Sequence, residues 1–162
     1  MRKRIISAAD GQPAPAEEAW LALAPLVQVE VTSEDPAAPI EAALEPGASG
    51  EGSGVGWRAA GGGPQTVRLC FDAPQHLRRI RLRFREPVIP RTQEFVLRWS
   101  AADRRPTREL VRQQWTFSPE GSVEETEDYA VDLAGVTTLE LTIMPDIAGG
   151  AARAALAEWR LA

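Results

Sequence analysis

Catalysis in this chain would have to use one histidine and one cysteine, His76 and Cys70. A Ser-His-Asp or Cys-His arrangement would depend on His76, which falls in a predicted turn, and the chain has no nucleophile-elbow pattern. Cys70 lies on the opposite face of a predicted strand from Leu69 and Phe71, which favours an inert role. One histidine and one cysteine also cannot supply a zinc site, and a single cysteine excludes an internal disulfide.

A run of acidic residues, Glu124-Glu125-Thr126-Glu127-Asp128, is the remaining enzymatic candidate. A glycosidase needs two carboxyl groups held across a cleft. Four acidic side chains crowded before a strand are more typical of a solvated surface. We therefore interpret the run as solvated and expect the chain not to be an enzyme.

Four arginines, Arg79, Arg81, Arg83 and Arg85, alternate along a predicted strand and so point from one face. Residues 78–112 hold eleven arginines and four acidic residues, although the net charge of the chain is −5. This asymmetry can mark an anionic or protein partner, or the arginines can pair with acidic residues on neighbouring strands. The absence of interleaved aromatics and the overall acidity argue against nucleic acid as a partner.

Polar and aromatic side chains near predicted loops are the candidates for ligand recognition. Arginine and glutamine make directional hydrogen bonds, and tryptophan offers a flat face to a sugar ring or a partner side chain. The predicted ligand-binding residues are Arg91, Gln93, Trp57, Arg112, Gln113 and Trp115. The predicted binding loops are 45–58, 86–93 and 101–107. We expect Arg91 and Gln93 to be solvent-accessible, and core packing of Trp57 and Trp115 stays open as an alternative.

The elements that must position these residues are short strands. Period-2 alternation of apolar residues is the pattern of half-buried strands, and the chain length fits one domain. The alternating runs cover 27–32, 66–71, 79–85, 94–99, 115–117, 129–133, 138–143 and 159–161. About eight strands with one apolar face each predict an all-β, two-sheet antiparallel sandwich of jelly-roll topology. We expect an N-terminal arm at 1–26, a sandwich domain at 27–162, one short helix within 36–44, and Phe84 and Leu97 in the core.

The order of these elements resembles the discoidin or coagulation-factor type C domains of the galactose-binding-like superfamily. The resemblance rests on Ser33-Glu34-Asp35, the apolar piece 39–44, Gly56-Trp57, the strands 65–71 and 80–84, and the closing run 156–161. It implies a jelly roll that binds glycans, lipids or proteins through loops at one end, mostly without catalysis.

Two departures from that family concern covalent and metal stabilisation. The disulfide that joins the termini in many members is impossible with one cysteine. The resemblance implies a structural calcium site in which Glu158 and Glu45 could take part, but Val55 and Gly56 stand where a hydroxyl ligand belongs. Calcium needs several oxygen ligands, so we expect no metal and no other cofactor.

These patterns predict a non-catalytic binding module, and the family resemblance implies that its ligand is carbohydrate. The alternative is a protein-interaction domain that uses the arginine-rich face. The apolar piece after the basic N-terminus is too short for a secretory signal, and no run is long enough to cross a membrane. We therefore expect a cytoplasmic protein with no membrane partner.

Overall fold

The computed structural model describes residues 19–45, 56–101 and 108–162. In chain order the elements are β1 Val27–Val31, α1 Glu41–Leu44, β2 Trp57–Gly62, β3 Gln65–Arg85, β4 Arg91–Ser100, β5 Arg108–Phe117, β6 Glu124–Met144, β7 Arg153–Leu156 and β8 Glu158–Leu161. Most of the predicted arm, the Gly-rich part of loop 45–58 and nearly all of loop 101–107 lie outside the described residues.

The strands pair antiparallel in the order β1-β3-β6-β4-β5, with β8 added to β3, and β2 pairs with β7. β3 and β6 are each 21 residues long. The register of their pairing shifts between Cys70 and Arg79, and such irregularities bend a strand pair. The first part of β3 pairs with β1, whereas its last part pairs with β8.

The bend places the two parts of β3 and β6 in different layers. Phe84 near the end of β3 stacks on Phe95 of β4, with ring centroids 5.2 Å apart, although β3 and β4 are not hydrogen-bonded neighbours. The last part of β3 therefore lies opposite β4 across the core. This arrangement confirms the predicted antiparallel jelly-roll sandwich with one short helix.

The core follows the predicted alternation. Phe84 and Leu97 are buried, as predicted. Burial of the apolar side chains of the core is the main stabilising contribution to the fold. The largest side chains in the core are Trp57, Trp159, Phe84, Phe95, Phe117, Leu69 and Leu77.

The turn predicted between the runs 66–71 and 79–85 was wrong. β3 continues through Asp72-Ala73-Pro74 and His76, because the register shifts accommodate a residue without a backbone N–H. The short helix predicted within 36–44 is present at Glu41–Leu44. The Asp35 and Glu34 carboxylates accept hydrogen bonds from the backbone N–H groups of Ala37 and Ile40, at 2.9 and 2.7 Å, and so stabilise the turn before the helix.

The described part of the arm packs on the sandwich. The backbone N–H of Leu21 donates to the carbonyl of Leu161 in β8 at 2.8 Å, and Leu23 is buried. Within the described residues, no helix is both long and apolar enough to cross a membrane.

Replacing Phe84 with alanine should lower the free energy of unfolding by about 3–5 kcal/mol, because a large core side chain is removed and a cavity remains. Its neighbour Arg83 points outward, so Arg83→Ala should cost less than about 1 kcal/mol. Urea denaturation measures both values. Equal shifts of the midpoint would show that the strand faces are assigned wrongly.

Candidate functional site

Arg91 and Gln93 are buried, so the prediction that they are solvent-accessible is wrong. Position along β4 explains this, because Arg91, Gln93, Phe95 and Leu97 alternate onto the inner face. Arg91 Nε donates to Glu86 Oε1 at 3.0 Å, its Nη1 donates to the carbonyl of Pro145 at 2.5 Å, and its guanidinium stacks on Phe117. These contacts make Arg91 a structural residue beneath the loop 86–90.

The polar network continues into β6. Gln93 Nε2 donates to Glu125 Oε2 at 3.3 Å, and Glu125 is only 1% exposed. The interpretation of the acidic run as wholly solvated is therefore wrong for Glu125. Burial, a hydrogen bond with Glu127 and charge repulsion by Glu127 together raise the pKa of Glu125 to about 8. We infer that Glu125 is mostly protonated at neutral pH.

The sequence contains a pattern that predicts the inward direction of Glu125, although the acidic composition of the run 124–128 indicated a solvated surface. Glu125, Glu127, Tyr129, Val131 and Leu133 occupy alternate positions of β6 and share one face. Burial raises the pKa of Tyr129, as do the neighbouring carboxyl groups, and its hydroxyl donates to Glu127 Oε2 at 3.4 Å.

The predicted residues of β5 do not converge. Trp115 pairs with Gln93 across the β4–β5 ladder and points to the same inner face. Its ring is half-buried, and among the described residues its buried Nε1 has no hydrogen-bond partner. Gln113 is also half-buried and lies opposite Phe95. Arg112 points to the other face, where it donates to Glu94 and Glu109 at 2.8 Å. One ligand therefore cannot contact Arg112 and Trp115 from the same face of β5.

The arginine stripe lies on the outer face of β3, as predicted. Arg79 makes two hydrogen bonds to Asp128, at 2.8 and 2.6 Å. Arg81 and Arg83 approach acidic residues only at 3.8–3.9 Å. Arg85 is exposed and has no acidic partner among the described residues.

A pocket of about 80 Å³ lies at the end of the sandwich where β3 ends, β2 begins and β7 turns into β8. We call it the end pocket; it is lined by Gly56, Trp57, Arg58, Arg85, Pro87, Ala155, Leu156 and Ala157. Arg58 is exposed and, like Arg85, has no acidic partner among the described residues. Trp57 is 1% exposed, so it forms a wall of the pocket from the core side.

Local sequence explains how the end pocket forms. A Cβ at Gly56 would lie 2.1 Å from the carbonyl oxygen of Leu156, so only glycine permits the backbone of β2 to approach the β7–β8 turn so closely. Trp57 then pairs with Leu156. The pocket lies between the predicted loops 45–58 and 86–93, and both supply lining residues.

Glu158, the residue implied as a calcium ligand, lies among cations. The guanidinium groups of Arg81, Arg83 and Arg160 surround its carboxylate at 3.8–3.9 Å. Such a positive environment opposes a divalent cation. The described residues contain no cluster of three or more histidine, cysteine or acidic side chains that could hold a metal ion.

A second concave surface lies between the edge strand β1 and α1. This groove of about 420 Å³ has an apolar floor and three carboxylates at its rim. It is lined by Ala24, Val27, Val29, Val31, Glu34, Ile40, Glu41, Leu44 and Glu45.

Comparisons with known proteins identify the fold. No protein-family model and no curated protein matches the sequence. The module CpGH89CBM32-5 from Clostridium perfringens, in complex with GalNAc-β-1,3-galactose, matches with a TM-score of 0.58 and 17% identity, over 88% of this chain and 99% of that chain. The CBM32 of AlyQ, in complex with 4,5-unsaturated mannuronic acid, matches with a TM-score of 0.56 and 14% identity, over 85% and 95%.

A chain from the structure of reduced XRCC1 bound to the DNA polymerase β catalytic domain has a TM-score of 0.55 and 14% identity, over 85% of this chain and 98% of that chain. Identities this low establish the fold alone. The chain therefore has the discoidin-like, galactose-binding-like fold of the CBM32 modules, which confirms the family resemblance at the level of fold.

Replacing Arg91 with alanine should lower the free energy of unfolding by about 3–5 kcal/mol, because the change leaves the Glu86 carboxylate without its buried cation. The matched control is Arg78→Ala, which removes an exposed arginine and should cost less than about 0.5 kcal/mol. Urea denaturation compares the two variants. Small, similar losses would contradict the structural role of Arg91.

Replacing Glu125 with glutamine should change how stability depends on pH. The folded-state pKa of about 8 lies above the ordinary value of 4.5, so the wild-type protein loses stability as the pH rises through that interval. Glu125→Gln lacks this loss and should gain a few kcal/mol relative to wild type between about pH 5 and about pH 9. The exposed Glu120→Gln is the control in urea denaturation. A Glu125→Gln difference that stays constant with pH would contradict the assignment.

Proposed function

We propose that this chain is a non-catalytic carbohydrate-binding module that holds its ligand at the end pocket. The observation that carries the proposal is the pair of guanidinium groups, Arg58 and Arg85, which flank a pocket between two loops and have no acidic partner among the described residues. Unpaired, exposed guanidinium groups are ready donors for hydroxyl or carboxylate oxygens.

The walls of the end pocket suit a sugar. The exposed Pro87 gives apolar contact, and the guanidinium groups give directional donors, which is the combination of groups found in ligand sites. A volume of about 80 Å³ accommodates one substituent, such as a carboxylate or a hydroxymethyl group. The rest of the sugar would lie across the rim, against the two arginines.

Three features support a binding role over catalysis. His76 is exposed and pairs with Asp132, away from the end pocket. Cys70 is half-buried. Glu125 and Glu127 interact closely enough to share a hydrogen bond, whereas a glycosidase needs about 5 Å or more between its carboxyl groups.

The solved structures add support of a coarser kind. Modules of this fold were solved with GalNAc-β-1,3-galactose, with 4,5-unsaturated mannuronic acid and with galactose, and another is described as pectin-binding. A sugar ligand for this chain agrees with that set, and the arginines at the end pocket favour a sugar that carries an acidic group.

A protein-interaction domain is the second candidate, and the groove beside β1 favours it. Its floor is formed by apolar side chains of β1 and α1, and Glu34, Glu41 and Glu45 stand at its rim. β1 is an edge strand of the described sheet, and edge strands can pair with a partner. The matching chain from the XRCC1–polymerase β complex shows that this fold also occurs in a protein–protein assembly. The variant Val29→Arg should abolish such binding.

The test of the carbohydrate proposal is a glycan array followed by titration calorimetry. The variant Arg58→Ala/Arg85→Ala should bind the identified glycan at least about tenfold more weakly than wild type, a loss of about 1.4 kcal/mol or more. Its melting temperature should stay within about 2 °C of wild type, because exposed arginines contribute little to folding.

The control is Arg78→Ala/Arg98→Ala, which removes two arginines that do not line the end pocket and should bind normally. Two results would overturn the proposal: no glycan bound by the wild-type protein, or equal affinity for wild type and the end-pocket variant. In the second case the binding site lies elsewhere.

A further inference from the structure

One carboxylate on the outer face of the sandwich is shared by three arginines. Glu158 of β8 lies 3.9 Å from Arg81 Nε, 3.8 Å from Arg83 Nη2 and 3.8 Å from Arg160 Nε. None of these distances is a hydrogen bond. Arg81 Nε is buried and has no hydrogen-bond partner among the described residues.

The register of the strands creates this cluster. Arg81 pairs with Arg160, and Arg83 pairs with Glu158, across the β3–β8 ladder. Residues directly opposite on an antiparallel pair share a face, so three guanidinium groups meet around one carboxylate. Arg83 also approaches Glu124 at 3.8 Å, and Asp128 lies opposite Arg81 while it is hydrogen-bonded to Arg79. Four guanidinium groups (Arg79, Arg81, Arg83 and Arg160) therefore face three carboxylates (Asp128, Glu124 and Glu158), which leaves one positive charge in excess.

The local electrostatics agree with that excess. Burial lowers the pKa of Arg160, and the charges of Arg83 and Arg81 lower it further against the opposing effect of Glu158. Arg160 is held in place, since its Nη1 donates to the carbonyl of Leu44 at 2.7 Å. A positioned cation repelled by like charges gains from an incoming anion.

The cluster is continuous with the end pocket. Arg81, Arg83 and Arg85 occupy alternate positions of β3 on one face, about 6–7 Å apart, and Arg85 lines the end pocket beside Arg58. A row of cations therefore runs from the end pocket along the outer face of β3 and ends beside the buried Arg160. We call this row the arginine track.

We infer that the carbohydrate ligand is an acidic polysaccharide, with one sugar in the end pocket and the next anionic groups bound along the arginine track. The inference rests on the proposed function and names the class of its ligand. Carboxylate and sulfate oxygens share the chemistry that guanidinium groups recognise. Repeated charges on a polymer match repeated arginines on a strand better than a single small anion does.

Other polyanions fit the track less well. The outward positions of β3, β6 and β8 around it carry no aromatic side chain. Trp20, from the segment before β1, packs against Arg79 at the end of the stripe away from the end pocket, and one ring does not supply the successive stacking surfaces that single-stranded nucleic acid uses. The exposed large apolar residues of the described chain, Val88, Ile89, Met144 and Ile147, do not belong to this face. A protein partner would therefore lack the apolar anchors that dominate interface energetics.

The experiment measures binding of the full chain to two matched pairs of polymers. Each pair consists of one charged polymer and its neutral counterpart. The pairs are polygalacturonate with its full methyl ester, and dextran sulfate with dextran. Wild type should bind at least one charged polymer about tenfold or more tightly than its neutral partner, with affinity falling as salt rises. Which charged polymer binds distinguishes carboxylate from sulfate as the source of the anion.

Three variants test the track itself. Arg81→Gln/Arg83→Gln should weaken binding of the charged polymer about tenfold and flatten the salt dependence. The control Arg98→Gln/Arg108→Gln removes the same amount of charge from β4 and β5. It should leave the affinity for the charged polymer and its salt dependence unchanged. Glu158→Gln removes the shared carboxylate and should strengthen binding a few-fold, a gain that misfolding cannot produce.

The outcomes separate this inference from the proposed function. Equal affinity for charged and neutral polymers, or an unchanged affinity in Arg81→Gln/Arg83→Gln, overturns the inference. Loss of glycan binding in Arg58→Ala/Arg85→Ala would still support the end pocket in that case. If wild type binds none of the four polymers, the inference is wrong, and the glycan array alone decides the proposed function.

Discussion

β3 and β6 pair antiparallel over two segments separated by register shifts, and the remaining strands of the main sheet are arranged around this pair. β1 and β8 pair with β3, β4 pairs with β6, and β5 pairs with β4. Because the pair bends, one hydrogen-bonded ladder contributes to both layers of the sandwich. The irregular segment that includes Pro74 is thus the position at which the sheet passes from one layer to the other.

The alternation of inward and outward positions along each strand decides which polar side chains are exposed to solvent. On β3 the arginines alternate with Ile80, Leu82 and Phe84, so they face outward. On β4 the same alternation puts Arg91 inward with Phe95 and Leu97. The direction of an arginine side chain is predicted from its apolar neighbours along the strand. In β4 three consecutive residues, Phe95, Val96 and Leu97, are buried, which weakens that pattern.

The sequence therefore predicted the fold, the core residues and the direction of the arginine stripe, all of which depend on local alternation. It did not predict the groupings that depend on strand register. Arg58 and Arg85 meet only because β2 and the end of β3 flank the β7–β8 turn. Glu158 meets Arg81 and Arg83 only through the β3–β8 ladder. Such contacts between distant segments cannot be read from periodicity. The predicted domain boundary at 26 and the cytoplasmic location stay predictions.

Acidic side chains differ in protonation state between the inside and the outside of the sandwich. Inside the sandwich, Glu125 keeps its proton because burial penalises its charge, and a neutral acid can remain in the core as a hydrogen-bonding group. Outside, Asp128 is held ionised by two hydrogen bonds from Arg79, which lower its pKa. Asp128 thus neutralises the start of the arginine row. At the other end, no described acid makes an ion pair with Arg58 or Arg85, although Glu124 lies opposite Arg85 in the β3–β6 ladder. The end pocket therefore keeps two exposed guanidinium groups, which attract an anionic ligand to the end of the sandwich where the loops lie.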